Sequence, residues 1–191
     1  MVNFNFFLKN NKKFIYIYFV LAFLLCLYIL PDFGVTVDDE IYYVNGLHTY
    51  NYVKLFLLNT FSNSNYDLID SRSYMVEWPI LFELILVFSS KLLNISDTRE
   101  LYLLAHKLNI IFFFIALILF FKIINSRFNN TVLAIISTLF ILLSPRIFAE
   151  SFYNTRDIFF LSLFIYFIYF LYKFIDYKSY LNIILMSLFS S

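Results

Sequence analysis

The chain has one cysteine, two glycines, three prolines and only 14% charged residues among its 191 positions. The lone thiol, Cys26, sits inside an apolar run, which excludes a disulfide framework or a cysteine-ligated zinc cluster within the chain. A formal net charge of +1 gives no basic field for a nucleic-acid partner. So little charge also excludes an ordinary soluble domain, which needs far more polar surface. With so few Gly and Pro, the apolar runs are nearly free of breaks, and charges near their midpoints are scarce. Both features count against a transporter, whose spans carry such breaks and charges.

What is present is apolar. The chain is 62% hydrophobic, with a mean hydropathy of +0.78, and its class is all-α integral membrane with about four to five transmembrane helices. Phe14–Leu30 is 17 uncharged residues, the lower limit for crossing an apolar layer of about 30 Å. Lys9, Lys12 and Lys13 precede it, and no small-residue cleavage site follows, so it reads as an uncleaved first span. Further spans are predicted at 101–124, 128–144 and 158–175, and a fifth begins at 180 and is incomplete at 191. Together they form a single transmembrane domain over 1–191.

Basic residues set the orientation. With the N-terminus in the cytoplasm, the inner segments hold Lys9, Lys12, Lys13, Lys122, Arg127, Lys173 and Lys178, opposed by Asp176 alone. The segment 31–100 is then an outer loop with ten acids against four bases, and Pro145–Asp157 is an outer turn. This places the chain in the cell (inner or plasma) membrane as a multi-pass protein. Within the outer loop, Ile41, Val44 and Leu47 recur every three residues and predict a helix starting just past Asp39. Ile80–Leu93 carries Glu83 and Lys91 and is too short to span, so it reads as a helix lying in the interface. The polar stretch NTFSNSNYDLIDSRS (59–73) reads as the loop between them.

Three acids stand together after the first span, Asp38, Asp39 and Glu40, and Asp157 opens the fourth with Arg146, Glu150 and Arg156 nearby. Three stretches in register carry a resemblance to a known family. They are DDEIYYVNG (38–46), EWPILFELILVFSSKLLNISD (77–97) and SPRIFAESFYNTRDIFFLSLF (144–164). The arrangement resembles the polytopic GT-C glycosyltransferases. It is most similar to the dolichyl-phosphate-mannose-protein mannosyltransferase-like enzymes of glycosyltransferase family 39 and their bacterial relatives that modify lipid A. The chain departs from the family where Glu77-Trp78-Pro79 stands in place of a His-Pro-Pro or Gly-Pro. Family members also have more spans, so the sequence reads as the N-terminal portion of a longer enzyme.

The resemblance implies a donor sugar linked through phosphate to a polyprenyl lipid, and an acceptor that is a protein hydroxyl, a lipid or a glycan. It implies Asp39 as the base, Glu40 as its orienting or acceptor-binding neighbour, and Asp157 as a second acceptor-side carboxylate. A divalent ion, Mg²⁺ or Mn²⁺, would suit Asp39 and Asp157, since carboxylate oxygens are hard ligands. Arg146 and Arg156, with Lys107 as a weaker candidate, are the expected partners of the donor phosphate. Each residue also has a structural reading. Asp38 is solvated, Glu40 and Asp157 charge helix N-termini, Arg146 and Lys107 snorkel, and Arg156 pairs with Asp157. His48 and His106 read as bystanders, Glu83 and Glu150 as surface residues. The competing functions are a non-catalytic or truncated membrane protein and, less favoured, a transporter subunit.

Overall fold

The computed structural model describes residues 12–36, 39–62 and 81–190. Lys9, Asp38, most of the 59–73 stretch and Glu77-Trp78-Pro79 lie outside the described residues. Among those described, every regular element is helical. In chain order these are α1 (Lys12–Ile29), a 3-10 turn (Leu30–Asp32), α2 (Asp39–Ser62), α3 (Leu81–Leu92), α4 (Thr98–Phe128), α5 (Thr131–Leu142), α6 (Pro145–Tyr153), α7 (Asp157–Tyr177) and α8 (Tyr180–Ser190). Three of them, α1 with its 3-10 turn, α4 and α7, are long and apolar enough to cross a membrane. The bent pair α5 and α6 makes a fourth if it is one span, and α8 is a shorter apolar helix.

The chain forms two compact units, divided within α4 between Ala105 and His106. The first unit takes α1, the 3-10 turn, the rest of α4 and α5 to α8. Its helices are joined largely by aromatic edges. Phe19 meets Phe121 at 5.7 Å and Phe23 meets Phe114 at 5.1 Å, so α1 runs antiparallel to α4. Phe112 meets Phe159 at 4.9 Å, the Tyr166 hydroxyl donates to the Phe112 carbonyl at 2.7 Å, and the Ser126 and Tyr172 hydroxyls lie 3.4 Å apart. Hence α7 runs parallel to α4. Such T-shaped pairs add directional attraction to their area burial. They matter more between lipid-exposed helices, where apolar area alone gives little drive to associate. Ala116 is fully buried and lets Ile165 and Tyr166 pack close to α4. At the end of α7, Lys178 adopts the left-handed conformation and its N–H bonds the Phe174 carbonyl at 2.7 Å. The chain turns there, and Phe189 of α8 packs on Tyr166 and stacks on Phe170.

These directions sort the charges of the first unit. Lys13, Lys122, Arg127, Lys173 and Lys178 share one end with Asp176, and Asp32, Lys107, Arg146, Glu150, Arg156 and Asp157 lie toward the other.

Over the expected span 128–144 and outer turn 145–157 the helix is broken. Helix α4 runs on to Phe128, Asn129 turns the chain at φ 48°, and Asn130 caps α5 by accepting the Leu133 N–H at 3.1 Å. Helix α5 has only 12 residues, about 18 Å at 1.5 Å per residue, too short to cross alone. The chain then bends by 65° and restarts as α6. Pro145 stands in the first turn of α6, where its missing N–H and fixed φ favour a helix start.

In the second unit, the helix expected past Asp39 begins at Asp39 and continues to Ser62, so residues 59–62 are helical where a loop was expected. Helices α2 and α3 cross at Gly46, where a Cβ would lie 2.8 Å from the Glu83 Cβ. Glu83, expected on the surface, is 2% exposed. Asn94 ends α3 in the left-handed conformation, and the Ile95 N–H reaches back to the Ser90 carbonyl at 3.0 Å, a helix stop of the Schellman type. Asp97 starts α4 by accepting the Glu100 N–H at 3.0 Å.

Helix α4 has 31 residues, about 46 Å at 1.5 Å per residue, which exceeds an apolar layer of about 30 Å. Exposed Ser96 and Ser126 therefore lie near opposite ends of a helix long enough to emerge on both sides. With Cys26→Ser removing the native thiol, Ser96→Cys is expected to react with an impermeant maleimide on intact cells. Ser126→Cys is expected to react only after permeabilisation. The reverse pattern would overturn the proposed orientation.

Candidate functional site

The expected site residues fall into two groups, each within one unit. In the second unit, Asp39 is the first residue of α2 and Glu40 the second. The Asp39 carboxylate accepts the Thr36 N–H at 2.8 Å, and its own N–H bonds the Thr36 carbonyl at 3.3 Å, so the acid closes the loop that leads into its helix. Glu40 is exposed. Both carboxylates lie close enough to the Tyr102 phenol to act on it electrostatically. Sequence reasoning did not single out Tyr102, because nothing in its spacing from Asp39 signals that they are neighbours.

In the first unit the group is built on α6 and the start of α7. Helix α6 is amphipathic. Phe152 is fully buried and stacks flat on Phe33 at 3.9 Å, with Phe148 edge-on at 5.2 Å. Arg146 and Glu150 lie on the outer side, and the Arg146 Nε donates to the Glu150 carboxylate at 2.8 Å. The Arg146 side chain is 83% exposed, so the pair adds little to stability. The pair sets the guanidinium of Arg146 beside the Glu150 carboxylate. Asp157 also lies near enough to act on that guanidinium.

Asp157 opens α7 through a reciprocal pair with Asn154. The Asp157 N–H donates to Asn154 Oδ1 at 3.0 Å, and Asn154 Nδ2 donates to Asp157 Oδ2 at 2.9 Å. Asp157 thus serves as a helix-start residue, and its charge is favourable there. The Thr36 bond to Asp39 and the Asn154 bond to Asp157 each engage Oδ2. Arg156 is half-buried beside Asp157, and Lys107 is exposed on α4.

A divalent ion needs several hard donors in one place. Among the described residues no group of three or more His, Cys, Asp or Glu side chains is arranged to hold a metal ion. Asp39 and Asp157 belong to different units.

Two polar residues within the apolar run 101–124 are buried. His106 is 2% exposed on α4, and Asn109, one turn on, is fully buried. Asn109 Nδ2 donates to the Ser151 carbonyl at 3.0 Å and the Asn154 carbonyl at 3.2 Å. The signal for both was present: polar side chains inside an apolar run are rarely left to face lipid. Their partners could not be read, because those of Asn109 are backbone carbonyls more than forty residues away. No family model matches the chain, and neither a curated protein nor a solved structure is significantly similar to it.

Proposed function

We propose that the chain supplies the membrane framework and acceptor-side acids of a GT-C-type glycosyltransferase, with four to five spans and its N-terminus in the cytoplasm. The observation that carries this reading is the polar cluster of Arg146, Glu150 and Asp157 with the neutral Asn154. It lies at the end of the first unit opposite Lys13, Lys122, Arg127, Lys173 and Lys178, with Asp157 fixed at a helix start. Transfer from a polyprenyl-phosphate sugar requires three things: a base for the acceptor, charge stabilisation at the leaving phosphate, and access to the lipid phase. Asp39 takes the acceptor proton, the acceptor oxygen forms its bond to the sugar C1, and the C1–O bond to the phosphate breaks. The electron pair leaves with the polyprenyl phosphate. Arg146 and Arg156 stabilise that phosphate by charge-assisted hydrogen bonds. Glu40 and Asp157 orient the acceptor.

Membranes containing the protein test this when offered radiolabelled polyprenyl-phosphate mannose, glucose and pentose in turn. Label is expected in the protein, lipid or glycan fraction with at least one donor. Arg146→Ala is expected to raise the donor KM about tenfold, the scale of a lost hydrogen bond to a charged group. No transfer from any donor would overturn the reading. A second reading, a non-catalytic membrane protein, is favoured by the local use of Asp39 and Asp157 as helix-start residues. It requires that both acids can be made amides with no loss beyond folding.

A further inference from the structure

Asn109 carries a chemistry that the proposed reaction does not use directly. A carboxamide buried in an apolar bundle is unfavourable unless its hydrogen bonds are made, and this one makes two from its nitrogen, while its buried Oδ1 makes none among the described residues. Both acceptors stand at the C-terminal end of α6, where carbonyls lack intrahelical partners. The Thr155 N–H, which would extend α6 by bonding Ser151, turns instead to the Tyr153 carbonyl at 3.0 Å. Asn109 therefore occupies the acceptor that the end of the helix leaves open. The amide orientation is forced, because reversing it would set Oδ1 against two carbonyl oxygens. Asn154 then passes the constraint on. Its carbonyl accepts from Asn109 and from the Ile158 N–H at 3.4 Å, while its side chain holds Asp157 from both sides. The Asn154–Asp157 bonds are local, whereas the Asn109 pair ties the junction to α4 across 42 and 45 residues.

We propose that Asn109 is a positioning residue that fixes the α6–α7 junction and, through Asn154, the place of the Asp157 carboxylate. Its effect on transfer rests on the reading above, in which Asp157 orients the acceptor; its effect on the junction does not.

The test uses the full chain in membranes with Cys26→Ser. Thr155 is 6% exposed and Thr131, at the opposite end of the first unit, is 3% exposed. Thr155→Cys and Thr131→Cys, made separately, are both expected to be slow to react with a small water-soluble thiol reagent. Adding Asn109→Asp places an oxygen against the Ser151 and Asn154 carbonyls. The rate at Thr155→Cys is then expected to rise at least tenfold, with that at Thr131→Cys unchanged. Unchanged reactivity at both positions, or a rise at both, would overturn the proposal, the second because Asn109 would then support the whole fold. In transfer assays Asn109→Asp is expected to lower kcat by about 10²-fold, the scale of a small misplacement of a working group, at an unchanged donor KM. A loosened junction with undiminished kcat would overturn the positioning role and, with it, the part given to Asp157. Failure of every donor with the parent chain, while the thiol pattern holds, would count against the glycosyltransferase reading alone.

Discussion

Asp39→Asn is expected to reduce sugar transfer by about 10²–10⁴-fold, the contribution of a positioned general base, while the amount of protein in the membrane stays the same. The substitution is well matched to its purpose. The Asp39 carboxylate accepts the Thr36 N–H at 2.8 Å, and an Asn side-chain oxygen can accept the same bond. The entry into α2 is thus retained, and the helix loses only a favourable charge at its first residue, worth about 0.3–1 kcal/mol at an exposed helix end. What the amide cannot do is take a proton from an acceptor hydroxyl. Glu40→Gln makes the informative comparison, because the same charge is removed one residue along the helix. If charge near Tyr102 were all that mattered, the two variants would behave alike. Initial rates, normalised to immunoblotted protein, separate the cases. Asp39→Asn is expected to fall by orders of magnitude and Glu40→Gln by much less. Equal rates for Asp39→Asn and the parent would remove Asp39 as the base and favour the non-catalytic reading.

The long helices were legible because hydropathy is a sum over many residues and tolerates local error. Helices α1, α4 and α7 lie within a few residues of the runs that predicted them. The grouping of five bases at one end of the first unit follows from the same regularity. Helix α6 was hidden by its composition. Its buried residues are only Ser151 and Phe152, and Pro145 reads as the end of a span as readily as the start of a helix. Glu83 was hidden for a different reason. A glutamate at the head of an apolar helix is ordinarily solvated, and its burial depends on a close approach by another helix. That approach is possible because of Gly46, and no local pattern links the two positions. The two candidate clusters share this limit. Asp39 and Asp157 were chosen by motif order, but the Thr36, Asn154 and Asn109 bonds that hold their surroundings were not visible in it.

Gly46 gives the largest expected effect on stability. In an isolated helix, Gly→Ala stabilises by about 0.5–1 kcal/mol, because alanine gives up less conformational freedom on folding. Here the sign reverses. A Cβ at position 46 would meet the Glu83 Cβ at 2.8 Å, its carbonyl oxygen at 3.0 Å and its carbonyl carbon at 3.1 Å. Two of those three atoms are backbone, so no rotamer change relieves the clash, and α2 and α3 must move apart. Overpacking of this kind costs about 1–3 kcal/mol, enough to outweigh the propensity gain. For a chain of this size that is roughly a 5 °C fall in unfolding midpoint, measured as the fraction remaining monodisperse in detergent after heating. Gly34→Ala is the internal control, since nothing lies within 4 Å of a Cβ there, and its midpoint is expected to stay within about a degree. Equal midpoints for the two variants would mean that α2 and α3 are not in close backbone contact. The same variant also bears on the site. Asp39 lies two turns before Gly46 on one side of α2, so separating the helices displaces the carboxylate without altering it. Gly46→Ala is therefore expected to lower transfer as well as stability. The two losses differ in kind: lowering the assay temperature restores folded protein but not the position of Asp39.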